Sequence, residues 1–454
     1  MNRFRSGIPF LTALLIVFFA AINYVVTERT PDEVLEDQSW PVPEMECTEI
    51  NVSSFSSEST FQWVHLQSLC EKAVEDANQA YSTGAEQAME QEKETEQKRT
   101  TASKEPKKDD TIIWSSLQLN NQKNQVAFYT QKRLYLLDVT TGSSKVLHSL
   151  SEDDKSVQYV PTISWSPQGE YLTFTLLKEN QRWNGHDSYS IHLVDLKTEE
   201  ILLIHQSTRA PDKPSWSPKD PIVALDSPVI LYDVEKQQGT PVISGYQTRH
   251  PRWSPEGNHI IFIQETSSTR GETFRYSLDT REVMQITTLN RVTSPLLWLQ
   301  TPPTILLEVE TKRSGSRPER HHIGEARPHT ESSIRWLSPF DRNESNRFLS
   351  ISPNERYLIV QKTTNLGTAD EKSHLIALNR DLSFYRWRCV TLAPLEDPST
   401  VTLHWTADGR LLYSTEGEVF LFDFEQLTKE KLEEKEEAFQ ILGIDNQIIY
   451  YSPL

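Results

Sequence analysis

The sequence predicts an all-β fold: a β-propeller of seven blades, with six or eight also open, carried on an N-terminal transmembrane helix and a helical or disordered spacer. Three observations predict it. Trp-Ser-Pro recurs as Trp165-Ser166-Pro167, Trp216-Ser217-Pro218 and Trp253-Ser254-Pro255, each time between two short runs rich in branched and aromatic residues. Looser copies at Trp114, Trp298, Ile351-Ser352-Pro353 and Trp405 bring the anchors to intervals of about 35 to 55 residues, the size of one four-stranded blade. Ahead of the repeats, Ile8 to Val26 is uncharged, apolar and long enough to cross a bilayer.

Within a repeat, proline presets its backbone angle for a tight turn, and Gly169, Gly257 or Gly409 supplies a positive φ a little further on. The two flanking runs therefore pair as a hairpin. A second strand pair follows in each unit, as in Leu134 to Val139 before Thr141-Gly142, and Asp138, Asp195, Asp233 and Asp423 at the ends of such runs read as turn formers that accept backbone hydrogen bonds. Phe439 to Ile444 and Ile448 to Tyr451 read as two strands beyond the last full repeat. They are expected to complete the first blade and pin the chain ends together, after a polar helical stretch from Thr428 to Glu437.

The domain plan is a cytoplasmic tip and membrane anchor over 1–27, an acidic extracytoplasmic spacer over 28–110, and the propeller with its closing strands over 111–454. Arg3 and Arg5 before the apolar run, and Glu28, Asp32, Glu33, Glu36 and Asp37 after it, place the first residues in the cytoplasm and the rest outside. No Ala-x-Ala-like cleavage site follows, so a single-pass anchor is expected. In the spacer, Leu66, Leu69, Cys70, Ala73, Val74, Ala77, Ala80, Tyr81 and Ala88 recur at helical spacing, predicting an amphipathic helix over about 57–98 that packs against its own protein. Cys47 and Cys70 can form a disulfide if this region is extracytoplasmic, and free thiols are equally open. Cys389 reads as a small buried core residue.

The repeat resembles that of the TolB-like propellers, which reads Trp-Ser-Pro-Asp-Gly followed by a hydrophobic strand and is related to WD-type propellers and to the propeller of prolyl oligopeptidases. The resemblance covers about residues 111 to 437, with Ile351 in place of the Trp, Leu299-Gln300 in place of Ser-Pro, and Lys219-Asp220 breaking one turn. It implies a propeller that binds a protein or an anionic envelope component outside the cytoplasmic membrane of a bacterium. In a eukaryotic secretory chain, Asn51-Val52-Ser53 and Asn343-Glu344-Ser345 would instead be glycosylation sequons.

Chemistry leaves few marks. The formal charge is −18 with pI about 5.2, against nucleic-acid binding, which needs a basic surface. There is no Gly-x-Ser-x-Gly elbow, phosphate-cradling Gly-rich loop or His-Glu-x-x-His helix. No catalytic residue, metal or cofactor is therefore expected. His321, His322 and His329 lie in a stretch from Lys312 to His329 that reads as a solvated insertion loop. What does recur is basic residues just before the anchors: Arg209 and Lys213 before Trp216, Arg249 and His250 before Trp253, Arg291 before Trp298, and Arg347 before Ile351. Loops leading into innermost strands converge on one mouth of a propeller channel, so these six are the candidate partner-binding residues. The alternative is a propeller hydrolase or lyase acting on cell-wall glycan or peptide, with carboxylates or histidines from different blades at the channel mouth.

Overall fold

The computed structural model describes residues 47–49, 52–53, 62–93 and 110–453, apart from short segments of which 180–185, 312–318 and 381–388 are the longest. The apolar segment Ile8 to Val26 and Arg291 lie outside the described residues. Among the described residues no helix is long and apolar enough to cross a membrane.

The chain forms an eight-bladed β-propeller. Among the described residues there are seven hydrogen-bonded sheets, and the eight-stranded one holds two blades joined by a single parallel bridge between Gly271 and Val292. The innermost strands are Ile112–Leu119, Val157–Trp165, Ser215–Trp216, Gln247–Trp253, Val292–Leu299, Ser345–Ile351, Thr402–Trp405 and Phe439–Asp445 for blades 1 to 8. In blades 1 to 7 three further antiparallel strands follow outwards. The second strands are short apolar runs buried on both sides by the neighbouring blades, so they lack the apolar-polar alternation of a half-exposed strand. Leu411–Thr415, for instance, is buried at every position.

Successive side chains of such a strand point to opposite blades. Leu411 and Tyr413 pack with Tyr357 and Ile359 of blade 6, while Leu412 packs with Ile441 and Ile449 of blade 8. Repeated round the molecule, this gives eight apolar clusters, one between each pair of neighbours. The cluster that closes the ring joins Tyr450 of blade 8 to Leu117 and Phe128 of blade 1.

The motif tryptophans add a directional link. The indole N–H of Trp165 donates to the Gln118 carbonyl of blade 1 at 3.1 Å, that of Trp253 to the Ser215 carbonyl of blade 3 at 2.9 Å, and that of Trp405 to Ser350 Oγ of blade 6 at 2.9 Å. Each reaches the innermost strand of the preceding blade. Trp216 instead stacks on Tyr171 of blade 2, with ring centroids 6.1 Å apart. The serine of the motif sits in the turn: Ser166 Oγ accepts the Tyr171 N–H at 3.0 Å and Ser254 Oγ the His259 N–H at 3.1 Å. Gly169, Gly257 and Gly409 have φ of 76, 73 and 86°, as the turn requires. Asp138, Asp195, Asp233 and Asp423 each accept backbone N–H groups from the turn that follows.

Several expectations are corrected. There are eight blades, because the C-terminal strands Phe439–Asp445 and Ile448–Pro453 form a blade of their own instead of completing the first. Thr428–Glu434 is the outer strand of blade 7, not a helix. Its Lys429 is buried, with Nζ donating to the Leu392 carbonyl at 2.7 Å and lying 4.1 Å from the Phe420 ring centroid. His321 and His322 belong to strand Arg320–Ala326 of blade 5, paired with Thr304–Thr311. Cys47 bonds to Cys389, with Cα atoms 4.5 Å apart, and Cys70 is free and buried. Burial pushes the Cys70 thiol pKa up to about 12, leaving it unreactive.

The region read as a spacer wraps the ring. From Cys47 the chain adds Thr48–Glu49 as a parallel fifth strand on blade 6, Val52–Ser53 likewise on blade 7, and Gln62–His65 as the third strand of blade 8. Helix α1, Gln67–Lys93, then buries Cys70, Ala73 and Val74, with Leu66 just before it, against blades 8 and 1. The belt caps strand edges that would otherwise be open to pairing.

Candidate functional site

Strand direction sets the geometry of the channel. In each blade the loop entering the innermost strand and the loop between second and third strands share one face, and the turn after the innermost strand lies on the other. On the first face, between blades 3 and 4, the structure brings together Arg209, Arg249 and His250. It sets them against three carboxylates that the sequence did not single out: Asp212, Asp226 and Glu265. Arg209 Nη1 is 3.0 Å from Glu265, and the Arg249 guanidinium lies 3.5 Å from Glu265, 3.6 Å from Asp226 and 4.0 Å from Asp212. His250 Nδ1 contacts Asp212 directly. Asp226, 1 % exposed, accepts the backbone N–H of His250 at 2.9 Å and of Asp212 at 3.1 Å. Burial alone would raise the Asp212 carboxyl; the His250 ring and the Arg249 and Arg252 guanidiniums outweigh it and hold the carboxyl below its ordinary value. His250 sits at φ 55°, a left-handed conformation uncommon for a residue with a side chain. The cluster is dense and internally compensated.

The other candidates fall elsewhere. Arg347 is exposed on the innermost strand of blade 6. Lys213 stands inside the channel, beside a cavity of about 460 Å³ whose walls come from blades 1, 2, 7 and 8 and the loop into blade 3. Those walls include Ser115, Gln118, Asn121, Lys123, Ser164 and His404. Lys213 Nζ donates to Gln118 Oε1 at 2.8 Å. Water reaches this side chain, yet the enclosing protein pushes its ammonium pKa below the usual lysine value. His404 Nε2 donates to the Ile441 carbonyl at 2.6 Å, and burial holds the ring below its ordinary pKa. Lys123 and Gln118 were missed because they follow their anchor, Trp114, instead of preceding one: they belong to an innermost strand and its turn, and become channel-facing only when the ring closes.

The histidines of blade 5 are structural. His321 Nδ1 is 2.9 Å from Glu308 and Nε2 is 3.4 Å from Glu319. Burial lowers its pKa, but the Glu308 hydrogen bond and the neighbouring carboxylates raise it more, for a net upward shift. His329 lies outside the described residues. Among the described residues no group of three or more His, Cys, Asp or Glu is arranged to hold a metal ion.

Ring, belt and channel define the chain as a β-propeller with a polar central cavity, and solved structures of that fold are similar to it. TolB from Acinetobacter baumannii is 12% identical over 74% of this chain and 82% of its own, with a TM-score of 0.35. Oligogalacturonate lyase from Vibrio parahaemolyticus is 13% identical over 57% of this chain and 75% of its own, at 0.40. Prolyl oligopeptidase B from Galerina marginata is 10% identical over 72% of this chain and 51% of its own, at 0.47. The likeness is one of fold. No protein-family model and no curated protein matches the sequence.

Proposed function

We propose that this protein is a non-catalytic binding scaffold, tethered by Ile8 to Val26 to the cytoplasmic membrane of a bacterium, whose propeller captures a protein or an anionic envelope component on the extracytoplasmic side. The observation that carries the reading is the channel cavity. Its walls come from five blades and carry amide, hydroxyl and ammonium groups, the groups that fix a ligand by hydrogen bonding and charge. The Cys47–Cys389 bond supports the location, since disulfides persist in oxidising compartments. Arg209, Lys213, Arg249, His250, Arg291 and Arg347 are the proposed partner-binding residues. Arg209 and Arg347 are exposed at the rim, which suits them to first encounter.

The test is crosslinking in intact cells with the chain carrying Arg209→Glu and Arg347→Glu. Recovery of the partner is expected to fall several-fold while the melting temperature stays within a degree or two, since surface pairs contribute little. Unchanged recovery at low salt would contradict the rim's role.

One observation favours the enzyme reading: the His250–Asp212 contact beside buried Asp226, on left-handed backbone, is an orientation suited to proton transfer. That reading expects turnover of a cell-wall glycan or peptide, abolished by His250→Asn. No turnover by the wild-type chain would remove it.

A further inference from the structure

The channel cavity is a cationic hollow in an acidic protein. Among the described residues that line it are Lys123 and Lys213, and no carboxylate, although the chain as a whole carries −18. Several lysines elsewhere stand against acids, as Lys145 does against Glu199, Lys362 against Glu344 and Lys431 against Glu418. Lys213 differs. Its ammonium donates to the Gln118 amide oxygen, a neutral acceptor that takes one of three hydrogens. The protein around it lowers its pKa by desolvation. Lys123 lies close enough to the His404 ring to depress that ring's pKa, which sets a second ammonium in the same hollow.

The wall beneath them has a special construction. In blade 1 the pairing jumps from Ile113 with Tyr129 to Gln118 with Ala127, so residues 114–117 stand opposite Phe128 alone. Ser116 fills the gap: its Oγ accepts the Tyr129 N–H at 2.8 Å and donates to the Ile113 carbonyl at 2.6 Å. Bulges re-aim side chains and recur beside functional sites. From this one, Ser115, Leu117 and Gln118 line the cavity.

We propose that the cavity binds the carboxylate end of an extended peptide segment, with Lys123 and Lys213 on the carboxylate and the Gln118 and Asn121 amides on the peptide groups. The proposal deepens the scaffold reading and rests on it. A volume of about 460 Å³ is that of a small-ligand pocket, with room for a chain end and none for a folded domain. An amide side chain offers both donor and acceptor and so matches a peptide group, while ammoniums match a carboxylate. A partly desolvated ammonium gains more from an anion than from a neutral ligand, because the charges attract through a medium less polarisable than bulk water.

Isothermal titration of the purified full-length chain with N-acetyl-trialanine, its C-terminal amide and inorganic phosphate tests this. The free acid is expected to bind at least about tenfold tighter than the amide, with the preference shrinking as salt rises. Lys123→Gln and Lys213→Gln should each weaken the acid about tenfold or more, the double variant should bind acid and amide alike, and Lys213→Arg should keep the preference. Equal binding of acid and amide by the wild type, or a preference that survives in the double variant, overturns the proposal. Phosphate bound as tightly as the acid also overturns it, making this a site for a free inorganic anion. The Arg209→Glu, Arg347→Glu chain separates the two readings. If it loses partner capture while the wild type shows no preference for the acid, the channel site fails and the scaffold stands. If the acid preference holds and capture is indifferent to the rim, the rim reading fails alone.

Discussion

His192 shows how a single burial choice sets a response of the whole fold. Its ring stacks on Phe174 at 5.0 Å and lies 6.4 Å from the His148 ring, and burial together with His148 pushes its pKa down to about 4. The folded chain holds His192 neutral where the unfolded chain, titrating near 6.5, takes up a proton. Its contribution is therefore complete above about 6.5 and is lost as pH falls toward about 4, since the unfolded state binds more protons across that window. Urea unfolding at pH 7.5 and 4.5 is expected to show a drop about 2 to 3 kcal/mol larger in wild type than in His192→Phe, which keeps the stack without the titration. Equal drops would show that His192 is not held neutral. The motif residues divide at the same scale: the roles of proline, glycine and aspartate were readable from turn chemistry. The serine's was not, because its hydroxyl works on a backbone N–H five residues on, as in Ser166 with Tyr171 and Ser254 with His259.

At the level of elements, blades 1 to 7 were legible because each carries its own anchor and its own buried second strand. Blade 8 was not. Phe439 to Ile444 lacks the Trp-Ser-Pro turn, and its third strand, Gln62–His65, arrives in parallel from nearly the whole chain length away. Thr428–Glu434 was misread because Lys and Glu favour helices locally, whereas at a sheet edge the same residues discourage unwanted pairing. Helix α1 was legible from its apolar spacing, but its partner was not. It packs across the closure between blades 8 and 1, where Ala73 is 2% exposed. Ala73→Asp would bury an unpaired charge there, and a loss of at least about 3 kcal/mol is expected, with the helix becoming cleavable by protease before the rest of the ring. Wild-type stability and resistance would mean that α1 does not dock.

For the whole molecule, closure is shared between two devices. Eight apolar clusters hold neighbouring blades together, and the belt crosses blades 6, 7, 8 and 1, fastened at its start by Cys47–Cys389 across a sequence separation of 342. Two-residue parallel strands such as Thr48–Glu49 contribute little alone, so the disulfide holds the first part of the belt in place; loops closed by such a bond typically gain about 2 to 5 kcal/mol. The same separation explains why the pairing could not be read from the sequence, where Cys70 is the nearer partner for Cys47. The candidate site follows the same rule: its cations were visible one by one, but the carboxylates that compensate some and the cavity that gathers others exist only once the ring is closed. The ring is belted shut by its own N-terminal segment, fastened at Cys47–Cys389. Peptide mapping without reduction, on chain alkylated in intact cells, tests it directly. The account predicts a linked peptide joining Cys47 to Cys389 with Cys70 unmodified until denaturation; a Cys47–Cys70 link, or free Cys47 and Cys389, would contradict it.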